Sequence, residues 1–169
     1  MLEQIDRTAV MEAMQAAENL GIKLESQGDL LLWEVMPSPA HTKAVQRVQN
    51  SIALPQDGSG CGCFAYQDMY VRFPNGDHLR PDLALYCEEP PDTQEACRLL
   101  PLAVLEVISP GSEMKDLQIL PPFYLAQGVL DVLVLNPRTG VVTHFRRDGT
   151  QTFNSPQMVH LEMGCSFSV

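Results

Sequence analysis

The run Leu102-Ala103-Val104-Leu105-Glu106-Val107-Ile108 is apolar at every position but one, and Leu130 to Leu135 is nearly as apolar. Short runs of this kind read as strands buried on both faces, which requires covering layers on either side of a sheet. Helical patterns stand before and between these runs, so the fold class is α/β or α+β around a mixed sheet. Period two places Glu106 on the same strand face as Val104 and Ile108. A carboxylate in that position is costly unless it is protonated, paired or bound to a metal ion.

The remaining elements fit around this core. Ile5, Val10, Met14, Ala17 and Leu20 predict a helix over 4–20 that stops at Gly21. Leu30 to Met36 reads as a strand ended by Pro37 and Pro39, and Ser38 is placed to cap a helix over 40–54 with Ala44, Val45, Val48 and Ile52 as its apolar stripe. Gly58, Gly60 and Gly62 mark a loop, Phe64 to Phe73 one or two strands, Asn75-Gly76-Asp77 a turn, and Asp82 to Cys87 another strand. Residues 113–127 have helical character that Pro121 and Pro122 interrupt, and a hairpin with Val141 to Arg146 in its outer strand follows Gly140. At 169 residues the chain is expected to form a single domain over 1–169, burying about 70% of its unfolded surface, with residues 1–21 a helix packed on it.

Bulk numbers exclude several classes. No apolar run approaches the ~20 residues of a membrane span, and Met1 to Val10 has neither a basic start nor an apolar stretch, so a cytoplasmic protein with no membrane association is expected. The odd count of five cysteines then reads as reduced thiols. Eleven Lys plus Arg against twenty-one Asp plus Glu give a net charge of −10. A protein that grips a phosphate backbone shows a basic face, so the charge weakens DNA as a partner.

Asp82 opens the strand that precedes the Glu106 strand. If the two pair, their carboxylates converge at one end of the sheet, and two hard oxygen ligands there suit Mg²⁺ or Mn²⁺. The alternative leaves Asp82 as a turn cap and Glu106 paired with Arg80 or Arg72.

Arg80-Pro81-Asp82 followed by Glu106-Val107-Ile108-Ser109-Pro110 resembles the Uma-two type of restriction-endonuclease domain, a group common in cyanobacteria within the PD-(D/E)XK nuclease superfamily. Leu32-Trp33-Glu34-Val35-Met36-Pro37-Ser38 running into His41 fits the same pattern. So do Asp116 followed by Tyr124 and Gly128-Val129, the apolar strand ending at Asn136-Pro137, and the hairpin Val141 to Arg147. The resemblance covers most of the chain beyond the first twenty residues. It implies a restriction endonuclease-like fold, a central mixed sheet flanked by helices, and metal-dependent hydrolysis of DNA phosphodiester bonds by an endonuclease, with a homodimer as the assembly. Asp82, Glu106 and the Val107 main-chain carbonyl would hold one or two Mg²⁺ or Mn²⁺ ions, with His41 and Tyr124 near them.

The resemblance also implies a catalytic lysine, which this chain lacks at both expected places. Two residues after Glu106 stands Ile108, and four before Tyr124 stands Leu120. Lys115 is the nearest substitute, but on a continuous α-helix it would point about 140° away from position 120 and ~7.5 Å along the axis. It therefore reads as a solvated surface lysine, and Leu120→Lys as a change that should raise activity. Arg80 is the other cation beside Asp82, with an ion pair as its structural role. Two rival readings follow from the missing lysine and the charge: a degenerate, non-catalytic nuclease fold kept as a binding or assembly module, or a hydrolase of a small phosphorylated or nucleotide substrate.

Other polar residues read as local. Cys61-Gly62-Cys63 with Cys87 and Cys97 lacks ordinary zinc spacing, so zinc is rejected. Asp57, Asp68 and Asp77 flank turns and read as solvated, His78, His144 and His160 share no spacing, and Arg138 with Arg146-Arg147 reads as a solvated basic edge.

Overall fold

In a computed structural model, residues 7–35, 37–56 and 58–169 are described; the expected helix start at 4–6, the strand end at Met36, and Asp57 lie outside them. Helix α1 (Arg7–Asn19) ends as expected at Gly21, which takes φ 73° and donates its N–H to the Glu18 carbonyl at 2.9 Å. Its apolar stripe buries Val10 and Met14. Strands β1 (Ile22–Gln27) and β2 (Leu30–Val35) form a hairpin in register Gln27↔Leu30, so Gly28-Asp29 is a two-residue turn. Helix α2 (Pro39–Asn50) starts at Ser38, whose hydroxyl accepts the His41 N–H at 3.3 Å, and Pro39 sits in its first turn, where no N–H is needed.

Strands β3 (Phe64–Gln67), β4 (Val71–Arg72), β5 (His78–Leu79), β6 (Leu83–Tyr86) and β7 (Ala103–Val107) follow. A π-helical turn over Lys115–Ile119 leads into helix α3 (Leu120–Gln127), and β8 (Asp131–Leu135), β9 (Val141–Arg146), β10 (Gly149–Asn154), β11 (Met158–His160) and β12 (Ser166–Ser168) complete the chain. The central sheet has the order β10-β9-β8-β7-β6-β3. It is mixed, because β7 and β8 run parallel across the α3 connection while its other pairs are antiparallel. A second sheet has the order β2-β1-β5-β4.

Both faces of the central sheet are covered, as its apolar strands require. Ala103, Leu105 and Val107 pack with Ala44, Val45 and Val48 of α2 and with Val159 and Phe167 near the C-terminus. Val104 and Val132 pack on the opposite face with Leu120, Phe123 and Tyr124 of α3 and with Val71, Phe73 and Leu79 of the second sheet. Phe73 and Phe123 meet edge-on at 5.2 Å, the favoured arrangement for two rings. Glu106 alternates onto this second face, between the sheet and α3.

Pro121 and Pro122 do not break the helix, because they lie in the first turn of α3 and cost it no hydrogen bond. The turn before them is π-helical, with the Leu120 N–H bonded to the Lys115 carbonyl. Five residues therefore make about one turn there, and Lys115 is brought onto the face of position 120 instead of away from it. Lys115 is buried, not solvated. Asp77 is also buried, accepting the Gly28 N–H at 2.8 Å and the Asn75 side-chain amide at 2.6 Å. The cysteines are not all reduced: Cys61–Cys87 and Cys63–Cys165 are disulfides, formed because the loop before β3, the end of β6 and the segment before β12 converge. Cys97 is buried and free. No helix among the described residues is long and apolar enough to cross a membrane.

Candidate active site

The register of β6 on β7 pairs Leu83 with Leu105 and thus sets Asp82 opposite Glu106. The Asp82 N–H donates to Glu106 Oε2 at 3.4 Å, and the Val107 N–H donates to Asp82 Oδ2 at 2.8 Å. The two carboxylates thus meet at one end of the sheet, as their strand positions predicted. Neither Arg80 nor Arg72 pairs with Glu106. Its partner is the Tyr124 hydroxyl, donated from α3 to Oε1 at 2.6 Å. His41, in the first turn of α2, donates from Nε2 to Asp82 Oδ2 at 2.9 Å, while its buried Nδ1 has no hydrogen-bond partner among the described residues.

The cation beside Asp82 comes from β1. Lys23 is buried, and its Nζ lies 3.4 Å from Asp82 Oδ1, 3.7 Å from Glu34 and 3.9 Å from Glu25. Lys115 enters the same cluster from the π-helical turn, with Nζ 2.6 Å from Glu34, 3.4 Å from Glu25 and 3.5 Å from Asp116. The β1–β2 hairpin explains this convergence, since its register sets Lys23 directly opposite Glu34, and Lys23 and Glu25 share one strand face. The Arg80 N–H donates to Glu25 Oε1 at 2.6 Å and so fixes that carboxylate. The Arg80 guanidinium turns away, to Asp68 at 2.8 Å and Glu18 at 3.2 Å, and lies 5.3 Å from the Tyr70 ring centre. Its ion-pair role was the one expected.

Lys23, Glu25 and strand β1 itself were missed from sequence. Two signals were present: the Gly28-Asp29 turn, and the alternation of Lys23 and Glu25 with Leu24. On β1 the charged residues face inward, which inverts the usual reading of such a strand.

Burial and mutual charge set the protonation of the cluster. Burial alone would raise the Asp82 carboxyl, but Lys23, His41 and the Val107 N–H outweigh it and hold Asp82 well below the usual carboxylate range. Glu106 is pushed well above that range, first by burial and then by the Asp82 charge beside it. Burial also raises Asp116, to about 6, even though Lys115 and the Ser112 hydroxyl oppose the shift. Burial opposes charge on Lys23 and Lys115, yet the surrounding carboxylates keep both ammonium groups protonated and raise them.

Access is narrow at the carboxylates and wide beside them. Lys23, Glu34, His41, Asp82 and Ser109, but not Glu106, line an opening of about 10 Å³, about the room that one water needs. Glu34 and Ser109 also line an adjoining cleft of about 460 Å³, with Leu31, Trp33, Gly111 and Lys115 on its walls. Trp33 is 68% exposed there. The donor set suits a hard divalent cation: Asp82 and Glu106 are adjacent oxygen donors, and positive charge between them would offset the burial and the Asp82 repulsion that raise Glu106.

The other sequence candidates lie outside this cluster. His144 Nε2 donates to buried Asp131 at 2.7 Å, and Arg146 joins Asp131 at 2.6 Å. Arg138 pairs with Glu113 at 3.0 Å, and Arg147 donates to the Leu125 carbonyl at 3.5 Å.

Residues 11–168 match the Uma2 family, described as “Putative restriction endonuclease”, and the chain belongs to that family. Its fold is shared with a solved structure from Anabaena variabilis, described as a “putative nuclease belonging to DUF820”, at a TM-score of 0.63 and 15% sequence identity. That match covers 81% of this chain and 80% of the other. No curated protein matches the sequence.

Proposed function

We propose that the chain is a metal-dependent nuclease in which Asp82 and Glu106 hold Mg²⁺ or Mn²⁺ and Lys23 takes the place of the lysine absent at Ile108 and Leu120. The observation that carries this reading is the position of Lys23 Nζ, buried and 3.4 Å from Asp82 Oδ1, on the carboxylate that Glu106 adjoins. Asp82 and Glu106 would hold the divalent ion, which would supply polarisation of a scissile phosphate and a lowered pKa for a bound water. The Val107 main-chain carbonyl is a third oxygen at the same strand end.

The protein's own groups prepare the site. His41 and the Val107 N–H fix Asp82 Oδ2, leaving Oδ1 toward Lys23. Tyr124 holds Glu106 Oε1, leaving Oε2 toward Asp82. Lys23 provides a fixed positive charge where negative charge develops on an attacked phosphate, in a buried setting that strengthens its effect. Lys115 sits one layer further, against Glu25 and Glu34, and acts by holding those carboxylates.

A small phosphorylated or nucleotide substrate is the second reading. The net charge of −10 opposes long duplex DNA, while the 460 Å³ cleft bearing Trp33 offers a face on which a single base can stack. Hydrolysis of duplex DNA, single-stranded DNA and a bis-aryl phosphodiester, each with and without Mn²⁺, separates the two. Metal-dependent cleavage of any of them that disappears in Asp82→Ala supports the hydrolytic site, and the preferred substrate identifies its class. Metal-independent or absent hydrolysis across the series contradicts it.

A further inference from the structure

We propose that Cys61, Cys63, Cys87 and Cys165 form a structural four-thiolate zinc site when the protein is reduced. The two disulfides are not separate staples but one cluster. Cys61 Sγ lies 3.5 Å from Cys165 Sγ across the pair, and the sulfurs of Cys61, Cys63 and Cys165 all lie within 4.8 Å of one another. Cys87 is joined directly to Cys61. A tetrahedral zinc ion with Zn–S bonds of ~2.3 Å holds its four sulfurs about 3.8 Å apart; three of these sulfurs already lie within 4.8 Å of one another, and Cys87, bonded to Cys61, stands beside them as the fourth.

The backbone is built to gather these residues. The Gly62 N–H donates to the Cys87 carbonyl at 2.9 Å, which ties the Cys61-Gly62-Cys63 loop to the end of β6. A side chain at position 62 would meet the Phe64 ring at 2.3 Å, so glycine lets the loop lie this close without displacing that ring. Cys63 takes φ 49°, a left-handed backbone that a cysteine adopts only when its surroundings fix it. Gly164, at φ 95°, turns the last segment so that Cys165 faces the same point. Cys61, Cys63 and Cys165 are buried in the core on the α2 face of the sheet among apolar neighbours, and Cys87 is partly buried against them. A closed thiolate set of that kind is structural and not catalytic.

The cluster is independent of the proposed hydrolytic centre. Asp82 precedes the first residue of β6 and Cys87 follows the last, so the two sites lie at opposite ends of that strand. The sequence concealed the cluster because one residue separates Cys61 from Cys63, and the fourth ligand, Cys165, lies 102 positions from Cys63. Cys97, which the sequence reading set beside Cys87 before rejecting zinc, packs elsewhere with Ala84 and Tyr86.

The interconversion balances. Each S–S bond accepts two electrons and two protons from a dithiol reductant, which leaves as its own disulfide, and Zn²⁺ then replaces the four thiol protons. Zinc thus keeps the C-terminal hairpin tied to the sheet where disulfides cannot persist.

The full chain is reduced, freed of reductant without oxygen, and titrated with Co²⁺ and then Zn²⁺. One equivalent per chain is expected, with a thiolate-to-cobalt charge-transfer band that zinc abolishes. Cys63→Ser and Cys165→Ser should lose the band and the stoichiometric zinc, whereas Cys97→Ser should keep both. Where a ligand variant fails to fold, alkylation of the wild type decides: zinc must protect all four thiols, and chelation must expose them. A reduced wild type that takes up no zinc, a Cys165→Ser variant that still gives the full band, or labelling of any of the four thiols in zinc-loaded protein overturns the proposal.

Discussion

Replacing Lys23 with methionine removes one ammonium from a buried cluster while keeping most of its apolar stem. Three carboxylates lose a partner within 4 Å: Asp82, Glu34 and Glu25. Removing one partner of a buried ion pair costs ~3–5 kcal/mol, because the other charge is left uncompensated. The loss is smaller here, since Lys115 still faces Glu25 and Glu34 and Asp82 keeps His41 and the Val107 N–H. A net cost of roughly 2–3 kcal/mol remains, and at about 2–4 °C per kcal/mol for a chain of this size it lowers Tm by roughly 4–12 °C. Lys43→Met, at an exposed position, should stay within about 0.5 kcal/mol of wild type. Activity separates the catalytic from the merely structural role. A preorganised charge at the reacting phosphate is worth a factor of about 10²–10³ in kcat. Calorimetry and single-turnover hydrolysis on the same preparations measure both. A Lys23→Met protein that melts with the wild type, or that is destabilised but hydrolyses at the wild-type rate per folded molecule, refutes the assignment.

Tyr124→Phe should leave buried Glu106 Oε1 without its donor, costing about 1–3 kcal/mol, and should weaken Mn²⁺ binding by roughly 10–100-fold as loss of an orienting group does; titration calorimetry reads the second effect and unchanged affinity opposes it. Leu120→Lys was the sequence-based repair, and the structure reverses its sign: position 120 is fully buried among Val104, Phe123 and Tyr124, so an ammonium there should cost roughly 2–4 kcal/mol without raising activity. A gain in turnover would contradict that. Burial would raise Asp131, but His144, the Glu162 N–H and Arg146 together lower it, so its contribution is present above the ordinary carboxylate pKa of ~3.9 and is lost as pH falls through and below that value. Asp131→Asn should therefore flatten the acid limb of the stability curve, as read by urea unfolding between about pH 5 and pH 2; an unaltered acid limb would dissociate Asp131 from it.

The parts of the fold that announced themselves are those whose local pattern agrees with their burial. β7 and β8 are apolar on both sides because both sides are covered, and Ser38, Pro39 and Gly21 set helix ends by backbone chemistry alone. From them the pairing of Asp82 with Glu106 could be anticipated. The lysine could not, because β1 turns its charged residues inward and its less buried ones outward, so that periodicity alone assigns it the wrong face or no strand at all. Lys115 was misplaced for a different reason. An α-helical wheel assigns position 115 to the far side, and only the i→i+5 bond at Leu120 brings it round. The cysteine cluster depends on contacts between segments far apart in the chain, which no local spacing encodes.

Asp82, Glu106 and Lys23 are proposed to form one hydrolytic site. Its most direct test is the nicking of supercoiled plasmid by wild type and Glu106→Ala, with Mn²⁺ and Mg²⁺ and in excess chelator. The wild type should nick the plasmid only with metal, and Glu106→Ala should not nick it. Nicking that persists in Glu106→Ala or in chelator contradicts the proposal.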